Sequence, residues 1–261
     1  MPEPFLFEDS AARFSRRVAN YVRYRPGYPA AVAQLLAREA PLTEDSHVAD
    51  IGSGTGLLSR TFLDASFAVT GVEPNQDMRE AGDRELAIYP RFRSVEGTAD
   101  STTLPSHSFD LITAGQAFHW FDPQPTRAEW VRILKPGGVA ALIWNERCTD
   151  SPFMRAAEDI VDKYATALDA EGTIRESGRS RIASFFAPAR CTLDEFPNCQ
   201  TFGRDGLTGR LASCSFLPQE GDPAYHHMVA DLEALFQRHQ RDGFVNFEYR
   251  TKVYWGRLSS S

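Results

Sequence analysis

HVADIGSGTG, residues 47–56, is the stretch on which the fold turns. A short apolar run ends in Gly52, Gly54 and Gly56, alternating with Ser53 and Thr55. Glycine sacrifices order and is used where the backbone turns tightly or something must approach it closely. A buried strand, a glycine loop and then the helically spaced GLLSRTFLDAS (56–66) form one strand-loop-helix unit. In open α/β sheets, ligands lie at loops of this kind, outside the carboxyl ends of the strands.

The pattern repeats outward from there. FAVTGVEP (67–74) reads as a second strand and NQDMREAGDRELAIY (75–89) as a helix capped by Asn75 or Asp77. FRSVEG (92–97) and FDLITAG (109–115) read as further strands. PTRAEWVRIL (125–134) reads as a helix, KPGG (135–138) as a turn and VAALIWN (139–145) as a fifth strand. Alternating strands and helices imply βαβ units, and continuous apolar strands such as VAALIW fit a sheet covered on both faces. The expected fold is therefore α/β: a Rossmann-like, doubly wound, mostly parallel seven-stranded sheet with an antiparallel edge strand and a helical cap.

Beyond residue 146 the pattern changes. Helices are expected at 151–170, near 180–186, near 206–215 and over 222–243 with Gly243 as the stop, and a strand near 195–202. FVNFEYRTKVYWGRL (244–258) alternates and reads as a final strand, antiparallel at the sheet edge. The chain is read as one domain over 1–261, with a core of about 40–146 and a cap drawn from 1–38 and about 147–241.

The totals bound the function. The 261 residues carry a formal net charge of −7, which argues against a broad nucleic-acid surface. Cys148, Cys191, Cys199 and Cys214 form no CxxC pair or zinc spacing, and no HExxH occurs. His226 and His227 are adjacent, so on a helix they point about 100° apart and make a poor shared metal site. The first residues, MPEPFLFEDSAARF, have no apolar signal core, and no run of about 18 apolar residues is present to span a membrane. A cytoplasmic protein with no metal, nucleic-acid or membrane partner is expected.

Two cofactor classes use the loop position. A dinucleotide site needs GxGxxG, but Leu57 stands where the third glycine or alanine would fall. Glu73, 21 positions after Gly52, ends the second strand and suits a ribose in either class.

DIGSGTG followed by GVEPN (71–75) resembles the first two motifs of class I S-adenosylmethionine-dependent methyltransferases. GTADSTTLPSHSFDLITAGQAFHWFD (97–122) and RILKPGGVAALIWNE (132–146) resemble the motifs that follow. YRPGYP (24–29), HWF (119–121) and YRTKVYWGRL (249–258) resemble the small-molecule branch that includes trans-aconitate methyltransferase-like proteins. The resemblance implies S-adenosyl-L-methionine as cofactor and a small-molecule methyl acceptor. It implies backbone approach along Gly52, Ser53, Gly54 and Gly56, with Asp50 toward the ammonium and Glu73 on the ribose. Pro74 and Met78 would meet the adenine, Thr98 and Ala99 its edge, and Gln116 and Ala117 the methionine end. At Thr98 the family often has an acid.

Tyr21, Tyr24, Arg25 and Tyr28 read either as an ordinary helix and turn packed on the sheet or, as the resemblance favours, as a lid with Arg25 near the cofactor carboxylate. Arg13, Arg16, Arg17 and Arg23 could attract an anionic substrate and read equally as solvated helix charges. His119 is the candidate base or substrate partner, set against a packing role for HWF, which is favoured. Trp120 is read as a pocket wall. An NAD-dependent oxidoreductase and a non-catalytic S-adenosylmethionine-binding protein remain as alternatives.

Overall fold

The structure is a computed structural model that describes residues 22–165, 180–214 and 216–258. Its element order is α1 (Ala30–Glu39), β1 (His47–Ile51), α2 (Leu57–Asp64), β2 (Ala68–Val72), α3 (Gln76–Glu85), β3 (Phe92–Val95) and β4 (Phe109–Gly115). A 3-10 turn (Phe118–Trp120), α4 (Pro123–Ile133), β5 (Leu134–Arg147) and α5 (Pro152–Tyr164) follow. Then come β6 (Thr192–Phe202), α6 (Arg204–Ala212), α7 (Tyr225–His239) and β7 (Val245–Gly256). Residues 180–186 are also helical.

The seven strands lie in the order β3-β2-β1-β4-β5-β7-β6. The pairs from β3 through β5 are parallel, whereas β7 runs antiparallel to both β5 and β6. The chain reverses direction from β1–β2–β3 to β4 beside β1, so the carboxyl ends of β1 and β4 frame the switch-point crevice.

Burial follows the sequence pattern. The β2 residues AVTGV are buried throughout, as a strand covered on both faces must be. One sheet face packs Val48, Leu111, Val139 and Ile143 against Leu36 of α1 and Phe62 of α2. The other packs Ile112 and Leu142 against Trp130 of α4 and Phe185 and Phe186. A third cluster joins α5, α6 and α7 to Phe247 and Tyr249 of β7.

Several expectations are corrected. The final strand is antiparallel as expected, but it lies between β5 and β6, and β6 is the edge. Its Val253 is fully buried because a neighbour covers it on each side. KPGG does not separate helix from strand. It bulges within β5, where pairing jumps from Phe109↔Leu134 to Leu111↔Val139 and Gly137 takes φ +82°. Asn75, not Asp77, caps α3, its side chain accepting the N–H of Met78 at 3.0 Å. The helix then stops at Glu85 rather than running to residue 89. Helix α7 stops at His239, and Gly243 belongs to the next turn, where its N–H donates to Gln240 Oε1. Tyr21, Arg13, Arg16 and Arg17 lie outside the described residues, as does the end of the helix expected over 151–170.

Candidate active site

The glycine loop takes the conformation its composition predicts. Gly52, Gly54 and Gly56 have φ of +68°, +55° and +81°, in the left-handed region that disfavours other residues. The loop is tied to β2 by the N–H groups of Gly52 and Ser53, which both donate to Val72 O at 2.8 and 3.1 Å. A Cβ at Gly52 would stand 2.8 Å from Cβ of Ala117, so the loop passes directly against the end of β4.

Two buried carboxylates flank it. Glu73 accepts the N–H of Gly54 on Oε2 and that of Asn75 on Oε1, both at 2.9 Å. Burial pushes its pKa up, against those N–H groups and Arg79. Asp50 is 1% exposed and accepts from Ser59 Oγ at 2.6 Å and Thr113 Oγ1 at 3.3 Å. Burial lifts its pKa to about 7, more than these hydroxyls lower it.

A narrow cleft of about 30 Å³ opens beside the loop, where Arg25, Asp50, Gly52, Ser53 and Gln116 come together with Tyr28. Gln116 holds a left-handed backbone at φ +55°, and its side-chain amide donates to Asn145 O at 3.1 Å. Met78 reaches Gly54, its Cε 3.3 Å from where a Cβ would be.

Other expected residues lie outside this cleft. Thr98 is exposed, and its hydroxyl donates to Asp100 at 2.6 Å, so an acid does stand near this position, two residues along the chain. Pro74 is exposed and Ala99 is buried. Ala117 is buried against Gly52 at the edge of the cleft. His119 and Trp120 are half-buried on the 3-10 turn, their rings 4.8 Å apart. Tyr24 leaves the cleft and packs on α6, its ring lying where a Cβ at Gly209 would stand. His226 and His227 are exposed on α7. Among the described residues, no group of three or more His, Cys, Asp or Glu side chains is placed to hold a metal.

Sequence reasoning missed two asparagines. Asn145 and Asn198 both donate through Nδ2 to Gly27 O, at 3.1 and 2.8 Å, and Asn198 also donates to Asn145 Oδ1. They fasten the RPGYP segment over the cleft. Asn145 sits in a quoted motif, but no spacing links it to residue 27 or 198, so no local signal exposes the contact.

A broader groove of about 410 Å³ runs beside β5, β6 and β7, with Cys148, Cys199 and Arg250 in its wall. No histidine lines it, so no Cys–His pair forms at Cys148 in this groove.

The donor set fits S-adenosylmethionine. Asp50 suits an ammonium, and Glu73 retains lone pairs for ribose hydroxyls. Comparison with known proteins agrees. Residues 49–142 match the methyltransferase domain family. The chain is 32% identical over 155 residues to an uncharacterized methyltransferase of Mycobacterium tuberculosis, covering 59% of this chain and 61% of that one. It is 25% identical over 246 residues to an uncharacterized methyltransferase-like protein of Schizosaccharomyces pombe, covering 92% and 93%. A solved structure from Anaeromyxobacter dehalogenans, provisionally assigned as a type II methyltransferase, superimposes with a TM-score of 0.70 at 22% identity over 90% of this chain and 98% of that one, a likeness of fold. This chain carries a class I S-adenosylmethionine-dependent methyltransferase domain. The match to the mycobacterial relative spans 61% of that protein's length.

Proposed function

We propose that the protein transfers a methyl group from S-adenosylmethionine to a small-molecule acceptor. The observation that carries this reading is the pair Asp50 and Glu73, buried on either side of a left-handed glycine loop. The chemistry that S-adenosylmethionine supplies when bound is a methyl group activated by its sulfonium.

The chain's own residues bind, orient and exclude water. Glu73 holds the ribose while fixing Gly54, and Asp50 takes the ammonium. Gly52, Ser53, Gly54 and Gly56 let the backbone approach, and Arg25 faces the carboxylate. Gln116 and Ala117 line the methionine end, Met78 and Pro74 pack the adenine, and Thr98, Ala99 and Asp100 meet its edge. An activated methyl needs positioning and dryness more than proton transfer, so His119 shapes the pocket with Trp120 and does not act as an obligatory base.

Helices α5, α6 and α7 with residues 22–28 form the cap over the core. Arg25, Pro26 and Tyr28 of this segment line the cleft beside the glycine loop, which supports its standing next to the cofactor. The described cysteines are all free, which supports a reducing, cytoplasmic setting.

The test is calorimetric titration with S-adenosylmethionine, S-adenosylhomocysteine and NAD, repeated on Glu73→Ala. Binding of the two adenosyl compounds, weakened by the substitution, supports the reading. Binding of NAD alone overturns it.

A further inference from the structure

Asn145 stands near the carboxyl end of β5, 8% exposed, with both polar atoms of its side chain engaged. Its Nδ2 donates to Gly27 O at 3.1 Å, and its Oδ1 accepts from Thr251 Oγ1 at 2.6 Å and Asn198 Nδ2 at 3.1 Å. A backbone carbonyl can only accept, so the bond to Gly27 fixes which end of the carboxamide faces that segment. Strand register explains the gathering. Asn145 pairs with Thr251 of β7, and Asn198 of β6 pairs with Tyr249, two residues from Thr251. The three side chains therefore project from one face of the sheet.

The main chain of Asn145 serves a second segment. Its carbonyl accepts Gln116 Nε2 at 3.1 Å, and the N–H of Gln116 donates to Ile143 O at 2.9 Å. Gln116 holds φ +55°, a backbone that persists in a non-glycine residue only where its surroundings hold it. The end of β5 thus grips Gln116 twice, and Gln116 and Asn145 both line the cleft beside the glycine loop.

Gly27 is part of a strap, residues 24–28, that is fastened elsewhere too. Gln200 Nε2 of β6 donates to Tyr24 O at 3.2 Å. Arg25 Nη2 donates to Ser213 O at 3.0 Å, at the carboxyl end of α6. Tyr28 lays its phenol against Gly115, the residue before Gln116. Among the described residues, Asn145 alone bonds both Gly27 and Gln116.

We propose that Asn145 is a positioning residue that couples the cofactor site at Gln116 to the strap 24–28. This rests on the methyltransferase reading and gives its site a residue that acts through others. A ligand seated beside Gln116 fixes the Asn145 carbonyl, and the Asn145 amide then holds Gly27, and with it Arg25 and Tyr28. Coupling of this kind is reciprocal: the factor by which the ligand steadies the strap is the factor by which a steady strap tightens the ligand.

The test uses the full chain and S-adenosylhomocysteine. Amide hydrogen exchange across residues 24–28 is read with and without saturating ligand, and Kd is read by calorimetry. In the wild type the ligand slows this exchange at least tenfold. In Asn145→Ala, and in Asn145→Leu, which fills the same space without a donor for Gly27, the slowing falls below twofold and the Kd rises at least threefold. Asn198→Ala loses one Gly27 donor but leaves Asn145 joined to both Gly27 and Gln116. It exchanges faster in both states and keeps a slowing of at least fivefold. An asparagine that only braces the fold gives the opposite result: either Asn145 variant exchanges faster with and without ligand alike, and the ratio stays. That result overturns the proposal. So does an equal loss of slowing in Asn198→Ala, or a wild type that binds the ligand without any slowing. Failure of the wild type to bind S-adenosylhomocysteine overturns the methyltransferase reading, and this proposal with it.

Discussion

The N–H of Gly54 donates to Oε2 of Glu73 at 2.9 Å, joining the loop after β1 to the end of β2 through a single buried carboxylate. The other oxygen of Glu73 takes the N–H of Asn75, the residue that caps α3. One side chain thus fixes the glycine loop and the start of the next helix while presenting its remaining lone pairs to a ligand.

Glu73→Ala removes both bonds. A hydrogen bond to a charged group contributes about 1.5–3 kcal/mol, and a loss of that order in denaturant unfolding is expected. Affinity for S-adenosylhomocysteine should fall at least tenfold by calorimetry. Glu73→Gln keeps one acceptor oxygen and should fall between the two.

Asp50 makes binding depend on pH. Its folded pKa is raised from 3.8 to about 7, so the native state holds a proton that the unfolded chain has released between those values. Its contribution to stability is fully present below about pH 4 and is lost as pH rises through 7. An ammonium ligand favours the ionised form, so cofactor affinity should rise between pH 6 and 8. Calorimetry across that range should show the rise in the wild type and a flat profile in Asp50→Asn.

Gly52→Ala meets two obstacles at once. The left-handed φ of +68° costs an L-residue about 1–2 kcal/mol, and the new Cβ would stand 2.8 Å from Cβ of Ala117. A fall in Tm of several degrees is expected, together with weaker cofactor binding, because the loop must shift off β4.

Asn198→Ala removes one of two donors to Gly27 O and a partner of Asn145. Limited proteolysis should cut within residues 22–28 severalfold faster than in the wild type. The Tm should change by less than the Gly52→Ala shift, because the segment lies outside the sheet core.

His119→Ala should lower turnover less than Glu73→Ala lowers cofactor affinity. Complete loss of turnover with intact cofactor binding would assign His119 a proton-transfer role instead.

Most of the core could be read from the chain because its signals are local. The strand-loop-helix at 47–64, the alternating pattern through β5, and Glu73 at the end of β2 all rest on neighbours a few residues apart. The same locality explains the errors. KPGG looks like a turn in any sequence, and only its pairing beside β4 makes it a bulge within β5. The aromatic alternation of 244–258 marks a strand, but nothing in it says that β6 will cover its outer side.

The sequence by itself determined the strand-helix succession, the left-handed loop and the acid beside it, since glycine content and hydrophobic period act over a few residues. Tertiary structure alone decided that Asp50 would be buried far enough to titrate near 7 and that Asn145 and Asn198 would share Gly27. Desolvation and pairing depend on which distant segments close over a group. Residues 27, 145 and 198 meet only when the sheet and its covering helices have assembled.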